Sequence, residues 1–277
     1  MTNTLTGNND ELVRVALIFR ERASEVRKRL KKFRTEPNAS KIHDLRTAIR
    51  QFEAAEGLLP KKPRQSKVHR EFRVGCAKIF KLTTRVRDLD VVIDRLVGEA
   101  KDNRIQRLVD DLSLERAIRV RSSRAMAEYV LKAREPDVSS SFSRRELRRK
   151  IRKTVGRLSS LIDDEIKIVL GDETDEATLH QLRKHCKELR YAVEIAEADQ
   201  GKTSLMGVLE EFQDDLGAIH DEDTIVAYLR QQRGHPSVRR ILEGELGKRH
   251  ENYLSFCESC RGRLASSPSR GSPASEN

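Results

Sequence analysis

Two stretches of the chain carry cationic side chains at helical spacing beside an apolar seam. They span residues 42–50 and 179–190, and the cations that recur along one face are His43, Arg46, Arg50, His180, Arg183, Lys187 and Arg190. At roughly 100° per residue, the cations of each stretch fall within about 80° of arc and so share one helix face. A row of like charges suits recognition of a polyanion by charge-assisted hydrogen bonds. Polyanion binding is therefore the first functional hypothesis.

The two stretches also repeat each other at an offset of 137 residues. The apolar positions of the first, Ile42, Leu45, Ile49 and Phe52, are matched in the second by Leu179, Leu182, Cys186 and Leu189. A shorter match pairs residues 87–91 with 220–224, where Asp88 and Asp221 are expected to cap helix N-termini. These matches predict an internal duplication, in which the two cationic rows face one basic central groove or channel.

Charge is unevenly distributed along the chain, whose formal net charge is +11. Residues 1–160 contain 40 Lys and Arg against 21 Asp and Glu, whereas residues 161–277 contain 15 against 23. Such a field attracts polyanions in a salt-dependent manner, although any single charge run is equally compatible with a solvated helix face.

Further cations lie near the two rows and are candidate walls of the channel. The first helix contributes Arg20, Arg27, Lys28 and Lys31; the third contributes Lys78, Lys81 and Arg85; the helix that opens the second half contributes Arg145, Arg148, Arg149 and Arg152. We expect about half of these long, hydrated side chains to serve solubility only.

Apolar periodicity predicts an all-α protein built from two pseudo-symmetric helical bundles. The predicted helices span 10–34, 40–59, 65–83, 88–100, 103–134, 143–170, 175–199, 203–217, 221–233 and 237–263. The domain is expected to cover residues 10–263, with halves at about 10–135 and 142–263. The Ser- and Pro-rich residues 264–277 have the composition of a disordered tail.

The remaining composition narrows the setting. No apolar run is long enough for a bilayer span, and residues 1–10 lack a signal-peptide core, so a cytoplasmic protein without a membrane partner is expected. Cys257 and Cys260 form half of a zinc motif with no second pair, so we expect neither a metal nor another cofactor.

Several motifs together resemble the CHAD family, an α-helical domain named for its histidines. They are His-x-Leu-Arg-x-x-x-Arg at 43–50, Arg-Asp-Leu-Asp-Val at 87–91, Leu-His-x-Leu-Arg-x-x-x-Lys-x-x-Arg-Tyr at 179–191 and Phe-Gln-Asp-Asp-Leu-Gly at 212–217. The resemblance implies paired four-helix bundles with extra helices that bind inorganic polyphosphate through the two cationic rows. Gln51 and Thr83-Thr84 depart from the family pattern, in which Arg and Leu-Gly are usual.

Three functional classes follow from these residues. Polyphosphate binding, with association with polyphosphate granules, needs rows of Arg and Lys without base readout. Nucleic-acid binding without sequence specificity is the alternative; the chain has no Trp and only 4% aromatic residues, which disfavours single-strand stacking but leaves duplex binding open. A phosphohydrolase or a histidine-phosphorylated enzyme is disfavoured, because the sequence offers no phosphate loop or convergent carboxylate set. We therefore expect no enzymatic activity.

Overall fold

The computed structural model describes residues 7–138, 142–196, 204–232 and 234–266, and every regular element in these ranges is helical. The helices are α1 (Gly7–Thr35), α2 (Ala39–Leu58), α3 (Lys67–Val97), α4 (Asn103–Lys132), α5 (Arg144–Val169), α6 (Glu176–Ala196), α7 (Ser204–Gln231) and α8 (Pro236–Ser266), with a short 3-10 turn at Pro63–Gln65. The predicted all-α class is confirmed. Of the predicted tail, residues 264–266 belong to α8 and residues 267–277 lie outside the described residues.

Local sequence signals set the helix starts. The Asn38 side chain accepts a hydrogen bond from the Lys41 amide at 2.9 Å, which caps α2. Ser143 caps α5 in a reciprocal capping box, in which the Glu146 carboxylate accepts from the Ser143 amide at 2.8 Å. These contacts satisfy amides that have no partner within the helix, so the starts of α2 and α5 are fixed by their own sequences.

Two of the predicted helix breaks are wrong. Residues 83–88 lie inside α3 and residues 217–221 lie inside α7, so the described chain has eight α-helices where ten are predicted. Asp88 and Asp221 are accordingly mid-helix residues and not N-caps. The physical reason is that the apolar seam runs through: Val86 and Leu89 are buried on α3, and no Gly or Pro interrupts the turn between them.

The helices pack as consecutive antiparallel pairs that then meet across the molecule. α1 packs on α2, α3 on α4, α5 on α6 and α7 on α8, while α2 also contacts α6 and α3 contacts α7. The pairing within α1–α4 parallels that within α5–α8, which agrees with the predicted duplication but leaves it a prediction. The contact between α2 and α6 matters most, because these helices carry the two cationic rows.

Three apolar cores hold this arrangement. One is built mainly from α1–α4 and includes Leu147 and Ile195 from the later helices. A second lies among α5–α8. The third joins the α3/α4 and α7/α8 pairs, with Leu96 and Ile105 from one side against Leu229 and Ile241 from the other. The apolar surface is therefore shared across the middle of the chain rather than confined to two separate bundles.

A pair of matching ionic contacts anchors the loops that precede α2 and α6. Arg116 of α4 donates through Nε to Asp90 at 2.5 Å and through Nη2 to the Pro37 carbonyl at 3.1 Å. On the other side, the Nε of Arg249 donates to Asp223 at 2.6 Å and its Nη2 to the Glu173 carbonyl at 2.9 Å. Each Arg lies 26 residues after its Asp. The two contacts fix the loops from which the cationic helices begin.

Candidate anion-binding site

The α2–α6 contact encloses a cavity that we call the central cavity, with a volume of about 390 Å³. Its lining contains more cations than anions; the residues are Arg50, Glu53, Ala54, Phe80, Arg183, Lys184, Lys187, Glu188 and Tyr191. Arg50 comes from the first cationic row, whereas Arg183 and Lys187 come from the second. The structure therefore brings members of both rows to one cavity; that it forms part of a longer groove or channel stays a prediction.

Arg46, from the first cationic row, makes contacts that stabilise the fold. It is 8% exposed, and its Nη1 donates to the Phe80 carbonyl at 2.9 Å and to the Thr84 hydroxyl at 2.9 Å. Its guanidinium also lies 4.1 Å from the centre of the Phe80 ring. Thr83 and Thr84, which depart from the family pattern, thus lie in an unbroken helix. The Thr84 hydroxyl accepts the hydrogen bond from Arg46. Arg46 joins α2 to α3 and has part of its donor capacity already satisfied.

Arg50, Arg183 and Lys187 differ from Arg46 because, within the described residues, their side chains have neither a hydrogen bond nor an ion pair. Arg50 stacks on Phe80, with its guanidinium carbon 5.1 Å from the ring centre. The Nε of Arg183 is buried without a hydrogen-bond partner. An unsatisfied buried donor costs about 1–3 kcal/mol, a cost that an anion would remove at the Nε of Arg183. The side chains of Arg50 and Lys187 line the same cavity and could donate to the same anion.

Burial and mutual repulsion lower the pKa of these cations. Burial, with Arg183 and Arg50 nearby, lowers the pKa of Lys187 to about 6, and Asp221 opposes this only in part. Burial, followed by Arg50, likewise lowers the pKa of Arg183 to about 10. Since Arg50 of α2 acts on two side chains of α6, the charges of the two rows lie within electrostatic range of one another.

The histidines border this set. The rings of His180 and His220 lie 5.0 Å apart, and burial beside Arg183 lowers the pKa of His220 to about 3. Burial also lowers the pKa of His43, with Arg87 as the next cause, and the pKa of His180, with Lys184 as the next cause. Without an anion, all three histidines are therefore held towards their neutral forms at neutral pH.

Two other cations near the cavity, one from the second cationic row and one from α3, already have protein partners. Arg190 donates through Nε to Gln213 at 3.0 Å and lies over the Tyr191 ring. Arg87 of α3 donates to Asp221 of α7 at 3.4 Å, which links the long helices beside the cavity. These contacts connect the helices around the central cavity. They do not use the cations that line it.

The other predicted wall residues do not line the central cavity. Arg27 donates to the Leu131 and Ala133 carbonyls, at 2.7 and 2.8 Å, and so closes the end of α4. Arg20 pairs with Asp137, Lys28 with Glu25, and Arg85 with Glu115. Lys31, Lys78 and Lys81 are exposed.

The predicted α5 cations form a concavity of their own. Arg145, Arg148, Arg149 and Arg152, together with Arg144, surround a volume of about 660 Å³. Arg149 also lines a neighbouring cavity that includes residues between α2 and α3. α5 thus contributes a second cationic surface.

Sequence reasoning missed several residues around the site. Phe80, on which Arg46 and Arg50 both stack, carried no signal because it resembles any apolar seam position. The anchors Arg116 and Arg249 were detectable in principle, since both follow an Asp of the repeated 87–91 and 220–224 motifs by the same interval. Lys61 and Lys62 went unnoticed because they lie between two helices.

Two further findings concern the described residues only. Cys257 and Cys260 are buried free thiols in the core among α5–α8, and no three His, Cys, Asp or Glu side chains are placed to hold a metal ion. No helix there is both long and apolar enough to cross a bilayer.

Comparison with known proteins identifies the family and similar folds. The CHAD domain family matches residues 17–230. The chain belongs to the CHAD family. Its fold is similar to the crystal structure of the CHAD domain from the plant Ricinus communis, with a TM-score of 0.64, 13% identity, and coverage of 92% of this chain and 91% of that one. It is also similar to PptA from Streptomyces chartreusis, with a TM-score of 0.58, 15% identity, and coverage of 91% and 98%. No curated protein matches the chain.

Proposed function

We propose that this CHAD protein binds inorganic polyphosphate in the central cavity and holds it without catalysis. The observation that carries the proposal is that three cations from two helices, Arg50, Arg183 and Lys187, line one cavity without hydrogen bonds or ion pairs in the described chain. Repulsion among them disfavours their charged forms in the free protein. A dense linear anion removes that repulsion and supplies acceptors for each donor.

The chemistry of these donors favours phosphate chains. Arg183 offers a planar fork for two oxygens, while Lys187 offers a mobile point charge. The cations already paired, Arg46 and Arg190, hold the helices in place around them. The proposed setting is the cytoplasm, including polyphosphate granules.

The experiment is a competition titration at one fixed salt concentration. Labelled long-chain polyphosphate is displaced by unlabelled long-chain polyphosphate, tripolyphosphate, duplex DNA and RNA at equal phosphate, for the wild type and for Arg183→Gln with Lys187→Gln. We expect polyphosphate to compete best and the double variant to lose at least about tenfold in affinity, because each charged hydrogen bond contributes about 1.5–3 kcal/mol.

A matched control removes two exposed cations of α4, Arg121→Gln and Arg124→Gln, which do not line the central cavity. Its affinity should fall less than about twofold, as expected for a change in overall field only. Equal competition by DNA would transfer the function to nucleic-acid binding. Equal losses in both double variants would remove the central cavity from the site.

A further inference from the structure

A second cationic surface lies where α5 passes the segment between α2 and α3. It encloses about 630 Å³, and its cations are Lys61, Lys62, Arg64, Arg149, Lys150 and Lys153. We call it the α5 surface. Its one carboxylate, Glu146, is held in the α5 capping box and accepts from the Ser143 amide and hydroxyl, each at 2.8 Å.

The cations of the α5 surface have few partners. Within the described chain, Lys61, Lys62, Lys150 and Lys153 have neither a hydrogen bond through the side chain nor an ion pair, while Arg64 donates only to the Pro60 carbonyl, at 3.4 Å. Burial, followed by the repulsion of Arg64 and Arg157, lowers the pKa of Lys150. Like charges from two separate segments thus converge on one concave surface, which makes it a candidate site for an anion.

The α5 surface adjoins the central cavity through one ion pair. Arg157 of α5 contacts Glu188 of α6 at 3.4 Å, and Glu188 lines the central cavity. Lys150 and Arg157 lie seven residues apart on α5, or about 10 Å along its axis. The ion pair therefore places Arg157 beside the lining of the central cavity, within two helical turns of Lys150 and Lys153.

We propose that the α5 surface is a second binding site that takes the part of a long polyphosphate chain extending beyond the central cavity. This inference rests on the proposed function, and it adds selection by chain length. Short polyphosphates occupy the central cavity alone, whereas long chains contact both sites. Because the two contacts belong to one ligand, the second acts at high effective concentration and raises affinity for long chains only.

The test measures the affinity of full-length protein for tripolyphosphate, for long-chain polyphosphate and for duplex DNA in parallel. The variant carries Lys62→Gln, Lys150→Gln and Lys153→Gln; its control carries Arg107→Gln, Arg121→Gln and Arg124→Gln, three exposed cations of α4. We expect the variant to lose at least about tenfold for the long chain and less than about twofold for tripolyphosphate. The slope of log affinity against log salt should become shallower by about two for the long chain, since three contacts are lost.

Each outcome separates this inference from the proposed function. If wild-type protein binds neither anion, the proposed function fails. If wild type binds both and the variant matches it, or if the variant loses both anions equally, a separate site on α5 is ruled out while polyphosphate binding stands. A variant that keeps long-chain polyphosphate but loses duplex DNA would assign the surface to nucleic acid and overturn the inference.

Discussion

At the level of single residues, Lys187 is partly buried among other cations, and Asp221 compensates for this only in part. Its pKa of about 6 means that the free protein holds it mostly neutral at pH 7. A bound phosphate would restore the proton, because the anion stabilises the ammonium form. We therefore expect the proposed polyphosphate binding to be coupled to proton uptake at this position.

We predict that affinity for polyphosphate rises as pH falls from about 9 to about 6 and then levels off below the pKa of the free lysine. The sign follows because the bound form carries the higher pKa and so gains a proton across that interval. The check is calorimetric titration in buffers of different ionisation enthalpy. Lys187→Arg should bind with much weaker pH dependence, since arginine stays charged throughout. An identical pH profile in that variant would exclude Lys187 as the source.

Lys187 should also lower the stability of the free protein. A cation whose pKa is lower in the folded than in the unfolded state costs stability at pH values below its unfolded pKa, and the cost shrinks as pH rises towards that value. We predict that Lys187→Met raises the free energy of unfolding at pH 7 by about 1–3 kcal/mol while weakening polyphosphate binding. Denaturant unfolding with and without polyphosphate measures both effects. A loss of stability would show instead that the lysine serves packing.

At the level of elements, the two Asp–Arg anchors hold the loops from which the cationic helices begin. Asp90 and Arg116 are the test case, because the Asp90 side chain is only 5% exposed. We predict that Arg116→Met lowers the free energy of unfolding by about 3–5 kcal/mol, since it leaves a buried carboxylate without its partner. The exposed pair of Arg85 and Glu115 is the control, and Arg85→Met should cost less than about 1 kcal/mol. Thermal unfolding of both variants decides; equal losses would contradict the anchoring role.

The helices also show which features the sequence could predict and why it could not predict the others. Apolar periodicity predicted the all-α class and placed α1, α2, α4, α5, α6 and α8 to within a few residues, because their ends carry Pro, Gly or capping side chains. It divided α3 and α7 wrongly, because an Asp after a charged residue resembles an N-cap when tertiary burial is unknown. Spacing predicted which cations share a face. It gave no access to Phe80, since partners across a helix contact are not encoded in local spacing.

At the level of the whole molecule, the third core joins helices from both ends of the chain. Leu96 and Ile105 pack with Leu229 and Ile241, and the first core includes Leu147 of α5. We therefore predict one cooperative unfolding transition for the full chain, and no stable fold for residues 1–138 expressed alone. Circular dichroism and calorimetry test this: two resolved transitions, or a half that melts cooperatively by itself, would show that the halves are independent domains.

Arg46 and Arg183 occupy matching positions of the repeated motif but stand in opposite situations. Arg46 is held by Phe80 and Thr84, whereas Arg183 keeps a buried Nε without a partner. Selection acting on the two positions should therefore differ in kind. In a saturation library scored separately for protein abundance and for ligand retention, substitutions of Arg46 should deplete in both screens, while substitutions of Arg183 should deplete only in the second. Two positions that are equivalent in an alignment of the repeats would then have different roles: Arg46 would stabilise the fold, and Arg183 would bind the ligand.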